Sequence, residues 1–335
     1  MLKKPIVSGL PKRFGDIGPL IENGSIIALS LIALFMTIIA MGIIFGPFDY
    51  RWNELNPPFS ILIFLWIIGL LIQILSLDRL GSALKMIAIF LFFSIVSMLG
   101  SSVLATISLG YADKALTAAD AALFPWFDWQ KTMLMVGNNE NLGSFFSQSY
   151  ANLNWQPLLL IGYFCCIGRQ DHGWKALSCL ILAASLCILL FPLAPATGGY
   201  VYYGIARADV PYVHVAAAWD APEILRELKN GTLSHIGVRT IEGIVTMPSF
   251  HAAASVVLAW SFWQSRLLRW PMLAANIAMF ISSVPIGSHY IVDLIAGSAI
   301  ACFSIVAVPY LQAWSTCQRG KSLILNQRPI SVAQA

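Results

Sequence analysis

Residues 25–46 read SIIALSLIALFMTIIAMGIIFG, an unbroken run of 22 positions without a charge. The hydrocarbon core of a bilayer is about 30 Å thick and needs about 20 apolar residues to cross as a helix. The run meets that length. Lys3, Lys4, Lys12 and Arg13 stand before it, and its apolar core is longer than that of a cleavable signal peptide. Its first reading is therefore a retained membrane helix. The rest of the chain agrees. Of 335 residues, 58% are hydrophobic and only 11% are charged, and the mean hydropathy is +0.75. A soluble domain carries about 25% charge to keep its surface hydrated. This composition excludes a disordered chain, a soluble cytosolic enzyme and a nucleic-acid-binding domain, because the net charge of +4 is spread over loops.

Apolar runs between charges give about eight spans: Ser25–Gly46, Phe59–Leu77, Met86–Leu109, Ala151–Gly168, Ala176–Ala196, Ser249–Ser265, Trp270–Gly287 and His289–Leu311. The expected fold is an all-α integral membrane protein of about eight transmembrane helices. With the N-terminus in the cytoplasm, the inner side holds Lys3, Lys4, Lys12, Arg13, Arg79, Lys85, Arg169, Lys175, Arg266, Arg269, Arg319, Lys321 and Arg328. The outer side holds Arg51, Lys114, Lys131, Arg207, Arg226, Lys229 and Arg239. That is 13 against 7 of the 20 basic residues, so both termini are expected inside. The cysteines (Cys165, Cys166, Cys179, Cys187, Cys302 and Cys317) show no CxxC spacing and read as core-filling side chains.

Two outer segments, Gly110–Tyr150 and Thr197–Met247, are too long to be plain connectors. Trp126, Phe127 and Trp129 in the first read as an anchor at the headgroup level. In the second, Asp220-Ala-Pro-Glu223 predicts a helix over Pro222–Lys229, closed by Asn230-Gly231. Arg207, Asp209, His214, Arg226, His235, Arg239 and Glu242 make this loop polar enough to serve as a lid.

Asp293 is read as the one acidic residue inside an apolar segment. A carboxylate there costs several kcal/mol unless it is paired. His289 stands four residues earlier, one turn away on the same helical face. A carboxylate on one ring nitrogen fixes the tautomer and makes the other nitrogen more nucleophilic. His251 opens another apolar run in Met247-Pro248-Ser249-Phe250-His251, where Pro248 at N-cap or N1 starts a helix. Its free N–H groups and positive dipole end suit a phosphate. Singly, an interfacial histidine or a helix-packing aspartate is the ordinary reading. Together, two histidines, a carboxylate and a helix N-terminus at one depth describe phosphoryl chemistry. The residues alone also admit a metal site with His251, His289 and Asp293 as ligands, or a transporter with Asp293 as its coupling group.

Pro248-Ser249-Phe250-His251 and Gly287-Ser288-His289-Tyr290-Ile291-Val292-Asp293 resemble the second and third signatures of the type 2 phosphatidic acid phosphatase superfamily. Those signatures are typically P-S-G-H and S-R-x5-H-x3-D. The Phe250 form, the H-Y-x-x-D spacing and Ala119-Asp120…Phe127-Asp128-Trp129 are similar to the inositol phosphorylceramide synthase branch and its bacterial relatives. The resemblance runs from about Tyr111 to Leu311. It implies a six-helix core over residues 85–313, two added helices within 1–84 and a cytoplasmic tail at 314–335. It implies a lipid phosphatase or phosphotransferase working on a phospholipid or lipid phosphate at the extracytoplasmic face, with a polyol as a candidate acceptor and neither metal nor other cofactor. By motif position, His289 would be the nucleophile, Asp293 its orienter and His251 the general acid. Ser249 would hold phosphate oxygens. The arginine of the third signature is replaced by Ser283. A literal K-x6-R-P at Lys321 to Pro329 lies after the other motifs and on the inner side, and is set aside as coincidence. The missing cation is expected from the outer loop, with Arg239 the first candidate and Arg207 the second.

Overall fold

The computed structural model describes residues 24–46, 49–215, 217–233, 235–237 and 243–326, with side chains as far as Ala313. Within them the protein is all-α apart from one short strand pair. The helices are α1 (Ser25–Phe45), α2 (Trp52–Ile74), α3 (Asp78–Thr106), α4 (Asp113–Leu123), α5 (Trp129–Gly137), α6 (Glu140–Tyr150), α7 (Gln156–Cys166), α8 (Gln170–Leu190), α9 (Gly199–Tyr202), α10 (Ala217–Asn230), α11 (Phe250–Trp263), α12 (Arg269–Ser282) and α13 (Ile291–Asn326). Among the described residues, five stretches are long and apolar enough to cross a membrane: α1, α2, α3, α8 with its 3-10 extension to Leu193, and α13 as far as Ala313. The large apolar side chains on α1 and α2 face outward, with Phe45 75%, Ile61 65% and Phe64 64% exposed. On a water-facing surface so wide an apolar patch would drive association. Lipid is the solvent that fits. The protein is a multi-pass membrane protein.

Three of the expected spans are shorter than the hydropathy suggests. α7 has 11 residues, and α11 and α12 have 14 each. At 1.5 Å per residue they reach about 17–21 Å, against about 30 Å of hydrocarbon. The reason is visible in the turns. Residues 151–154 form a 3-10 turn before α7, and the segment from Ser283 to Tyr290 between α12 and α13 is not helical. In α7 and α12 helix is given up at the end of the bundle that carries the polar residues. A second difference concerns Asp220-Ala-Pro-Glu223. It does not start a helix, because α10 begins upstream at Ala217 and holds Pro222 inside it. Ala218, Ala221, Ile224, Leu225 and Leu228 form its buried stripe, and burying that stripe outweighs the local capping signal. Its end is as expected: α10 stops at Asn230 and Gly231 takes φ +68, the left-handed conformation that glycine adopts without strain.

The two ends of the bundle differ. At one end the connections are short, and long side chains tie them together. Arg79 Nη1 donates to the Cys166 carbonyl at 3.1 Å, Arg169 Nη1 donates to the Gln264 carbonyl at 3.3 Å, and Tyr163 Oη and Ser265 Oγ lie 2.6 Å apart. At the other end lie α4, α5, α6, α9 and α10. Backbone bonds from Leu109 to Pro192 and from Ala112 to Pro195, both 2.8 Å, join the tops of α3 and α8 there. The α1–α2 connection reaches the same end, where β1 (Asp49–Tyr50) pairs in parallel with β2 (His235–Ile236). The exposed side chains of Glu223 on α10 and Leu267 between α11 and α12 therefore belong to opposite ends. Single cysteines at the two positions should be labelled by a membrane-impermeant thiol reagent from opposite sides of sealed vesicles. Labelling of both from one side would contradict this arrangement.

Candidate active site

The site is built from α4. Its sequence, DKALTAADAAL, places Asp113, Leu116 and Asp120 on one buried face. Asp113 is 4% exposed and Asp120 is 8% exposed. Such acids must be hydrogen-bonded, since a buried unpaired carboxylate is costly. Asp113 accepts from the backbone N–H groups of Thr197 and Gly198 and from the Thr197 hydroxyl, each at 3.0 Å. It also accepts from the Tyr290 hydroxyl at 2.9 Å. Asp120 accepts from the Ile291 N–H at 2.8 Å and the Val292 N–H at 2.9 Å. These are first-turn donors of α13, which have no partner within their own helix. Burial pushes the Asp120 carboxyl above the usual carboxylate range, and the two N–H bonds oppose that shift. Burial and the neighbouring Asp113 push the Tyr290 phenol up as well, so it stays a hydroxyl donor.

The segment between α12 and α13 is fixed from several sides. Ser288 sits at φ +60, a conformation few non-glycine residues adopt. It is held there by two bonds of 2.9 Å, from Gly199 N–H to the Ser288 carbonyl and from Tyr200 N–H to Ser288 Oγ. Gly198, at φ +83, lies against it; a Cβ there would meet Ser288 Oγ at 2.8 Å. The Tyr200 hydroxyl donates to the Pro285 carbonyl at 2.6 Å. Trp129 Nε1 donates to the His289 carbonyl at 3.1 Å.

His289 is 3% exposed and Asp293 is fully buried. Asp293 Oδ2 faces His289 Nδ1 at 3.3 Å and accepts from the Tyr290 N–H at 2.9 Å. The contact arises differently from the sequence expectation. His289 is not one helical turn from Asp293, because α13 begins only at Ile291. Asp293 is in the first turn and reaches back over the helix start, as the acid of a capping box does. Its other oxygen, Oδ1, has no hydrogen-bond partner among the described residues.

His251 comes from the start of α11. Ser249 is the N-cap, one position later than Pro248, and its Oγ accepts from the Ala252 N–H at 3.3 Å. The Ser249 N–H donates to the Asp293 carbonyl at 3.1 Å, and a Cβ at Gly297 would lie 2.2 Å from the Ser249 carbonyl. Close approach without a side chain is what lets α11 start directly against α13. The His251 ring stacks on Tyr150, centroids 3.7 Å apart and 16° from parallel. Both histidines line one cavity of about 510 Å³, together with Tyr150, Asn154, Thr197, Thr246 and Ser288. Burial pushes the Tyr150 phenol far above its ordinary value, so it too remains a hydroxyl.

The PAP2 superfamily profile matches residues 114–307, more than half of the chain, from α4 to α13. The chain belongs to the PAP2 superfamily. Curated proteins and solved structures give no significant match.

The residues quoted for the PAP2 signatures divide into two groups. His251 and His289 line the cavity, and Asp293, fully buried, stands behind His289. Ser249 is fully buried as a helix cap and is not among the residues lining the cavity. Arg207 also does not line it; it pairs with Asp220 at 3.0 Å and lies over the Trp219 ring at 5.3 Å. Arg239 and Glu242 lie outside the described residues. Ser283, which stands where the PAP2 signature has arginine, is buried, and its carbonyl accepts the His289 N–H at 3.4 Å. No lysine or arginine lines the cavity among the described residues.

Three features were not legible beforehand. Asp113 and Asp120 looked like loop acids, although Asp120 belongs to the Ala119-Asp120…Phe127-Asp128-Trp129 resemblance; their seven-residue spacing in an alanine-rich segment is the local hint of one buried face. Trp129 was expected as a headgroup anchor, yet it is 5% exposed and bonds the backbone of His289, while Trp126 is 78% exposed and fits the anchor reading. Tyr150 carried no sequence signal at all. Asp120→Ala should strand two buried N–H donors and cost about 1.5–3 kcal/mol, read as a lower Tm. Asp120→Asn, whose amide oxygen still accepts, should recover part of the loss. Equal stability of wild type and Asp120→Ala would show that the α13 cap is not needed.

Proposed function

We propose that this PAP2 protein is a metal-independent lipid phosphatase or phosphotransferase that works through a phosphohistidine on His289. The observation that carries the reading is the Asp293–His289 contact at the cavity that His251 shares. With Nδ1 turned to the carboxylate, Nε2 is the nitrogen left to attack phosphorus. The contact of 3.3 Å has room to shorten as the ring gains charge. Asp293 then acts by orienting the ring and by stabilising the imidazolium. His251 donates the proton to the departing oxygen of the lipid, and the stacked Tyr150 keeps its ring in place.

Cleavage of the P–O bond releases the lipid alcohol and leaves the phosphoryl group on Nε2. Water or the hydroxyl of a polyol then takes it from nitrogen, and His251 receives the proton of the attacking oxygen. Both outcomes use one intermediate. The inositol phosphorylceramide synthase-like form of the signatures favours transfer to a polyol as the physiological outcome. The developing charge on phosphate needs a cation. Arg239, four residues before the cavity-lining Gly243, is proposed for that role, ahead of Arg207 and Ser249, neither of which lines the cavity. The excess of basic residues at the short-turn end supports cytoplasmic termini and a site on the extracytoplasmic side.

The two histidines can be told apart by the leaving group. A lipid alkoxide leaves only with a proton, help worth about 10²–10⁴-fold in rate. A phenolate of low pKa leaves without it. His251→Ala should therefore lose about that factor on a lipid phosphate and much less on an aryl phosphate. His289→Ala should lose both activities. Equal losses for both variants on both substrates would contradict these roles.

A further inference from the structure

The cavity does not end at the histidines. It continues between α3 and α8, where Phe90, Ser94, Ser97 and Ser101 of α3 face Ala184 and Cys187 of α8. The serines look polar but offer nothing to a ligand as donors. Ser94 Oγ donates to the Phe90 carbonyl at 2.9 Å, Ser97 Oγ to the Ser94 carbonyl at 3.1 Å and Ser101 Oγ to the Met98 carbonyl at 2.7 Å. Each hydroxyl is folded back onto its own helix, so what remains is a small side chain that leaves room beside it. No aspartate, glutamate, lysine or arginine lines any part of the cavity among the described residues. A polyol or headgroup lodged in this arm would lose its hydration with few partners in return. A hydrocarbon loses nothing there, and one entering from water gains about fourfold in affinity per methylene buried.

We infer that the arm between α3 and α8 is a slot for one hydrocarbon chain of the lipid phosphate, and that Ser97 and Ala184 set the chain length it accepts. The inference rests on the reading of the histidines as the reaction centre, because that places the phosphate at the other end of the same cavity. The slot then fixes the distance between phosphorus and chain terminus inside the protein, and chains beyond its length must bend or protrude.

The test measures binding by thermal stabilisation of the purified full chain with straight alkyl phosphates from hexyl to hexadecyl. Turnover of a short aryl phosphate is followed in parallel. Wild type should show affinity that rises with chain length and then stops rising. Ser97→Leu and Ala184→Leu should move that limit to shorter chains, with chains above the new limit held about tenfold more weakly. Phe90→Ala should move it to longer chains, which keeps the test valid if a filled variant fails to fold. Turnover of the aryl phosphate, which has no chain to place, should stay close to wild type in all three. Affinity independent of chain length in wild type, or one limit shared by wild type and every variant, would overturn the slot. A clear limit that moves as described in a protein without aryl phosphatase activity would uphold the slot and instead remove the catalytic reading.

Discussion

Two carboxylates on one short helix hold the site in shape. Asp113 and Asp120 accept hydrogen bonds from six donors: the Thr197 N–H and hydroxyl, the Gly198 N–H, the Tyr290 hydroxyl and the N–H groups of Ile291 and Val292. All of these donors belong to the two segments that meet beside His289. Buried N–H groups left without partners cost about 1–3 kcal/mol each, so these acids are what makes the irregular backbone there affordable. The same backbone explains why neighbouring helices are short. Ser283 to Tyr290 could have extended α12 or α13, but as helix it would have placed His289 on a continuous cylinder with Asp293. Outside the helix, the ring is set by Trp129, Ser283 and Asp293 together.

Rigid placement matters for the proposed chemistry. An attacking nitrogen gains most when its position is fixed before the substrate arrives, since reorganisation is then not needed during the reaction. His289 is held through its backbone on both sides and through its ring at Nδ1. His251 is held differently, by the N-cap of α11 lying against α13 and by the Tyr150 ring. The two histidines therefore belong to separate elements that meet at Ser249 and Asp293. Movement of α11 against α13 would change the distance between the two imidazoles without disturbing the Asp293–His289 contact.

The membrane class, most helix positions and the approach of His251, His289 and Asp293 could be read from the sequence. Those features depend on local properties: charge-free length, and acid–base residues at fixed spacing. The rest depends on which faces meet. Asp113 and Asp120 sit in a segment of loop-like polarity, and nothing local says that α4 is buried against the start of α13. Trp129 belongs to an aromatic cluster that reads as interfacial, and its indole finds a partner 160 residues away. Pro222 and Glu223 carry a cap signal that packing of the α10 stripe overrides. Ser283 stands where the PAP2 signature has its cation, and Arg207 is engaged by Asp220.

In the proposed reaction phosphorus is attacked twice, first by His289 and then by the acceptor oxygen. Each in-line attack inverts the configuration at phosphorus, so two attacks restore it. The most direct measurement is the stereochemical course of the reaction with a lipid phosphate made chiral at phosphorus by isotopic oxygen and sulfur. Two displacements give net retention of configuration. Net inversion would mean a single direct displacement, with no phosphohistidine, and would contradict the proposed reaction.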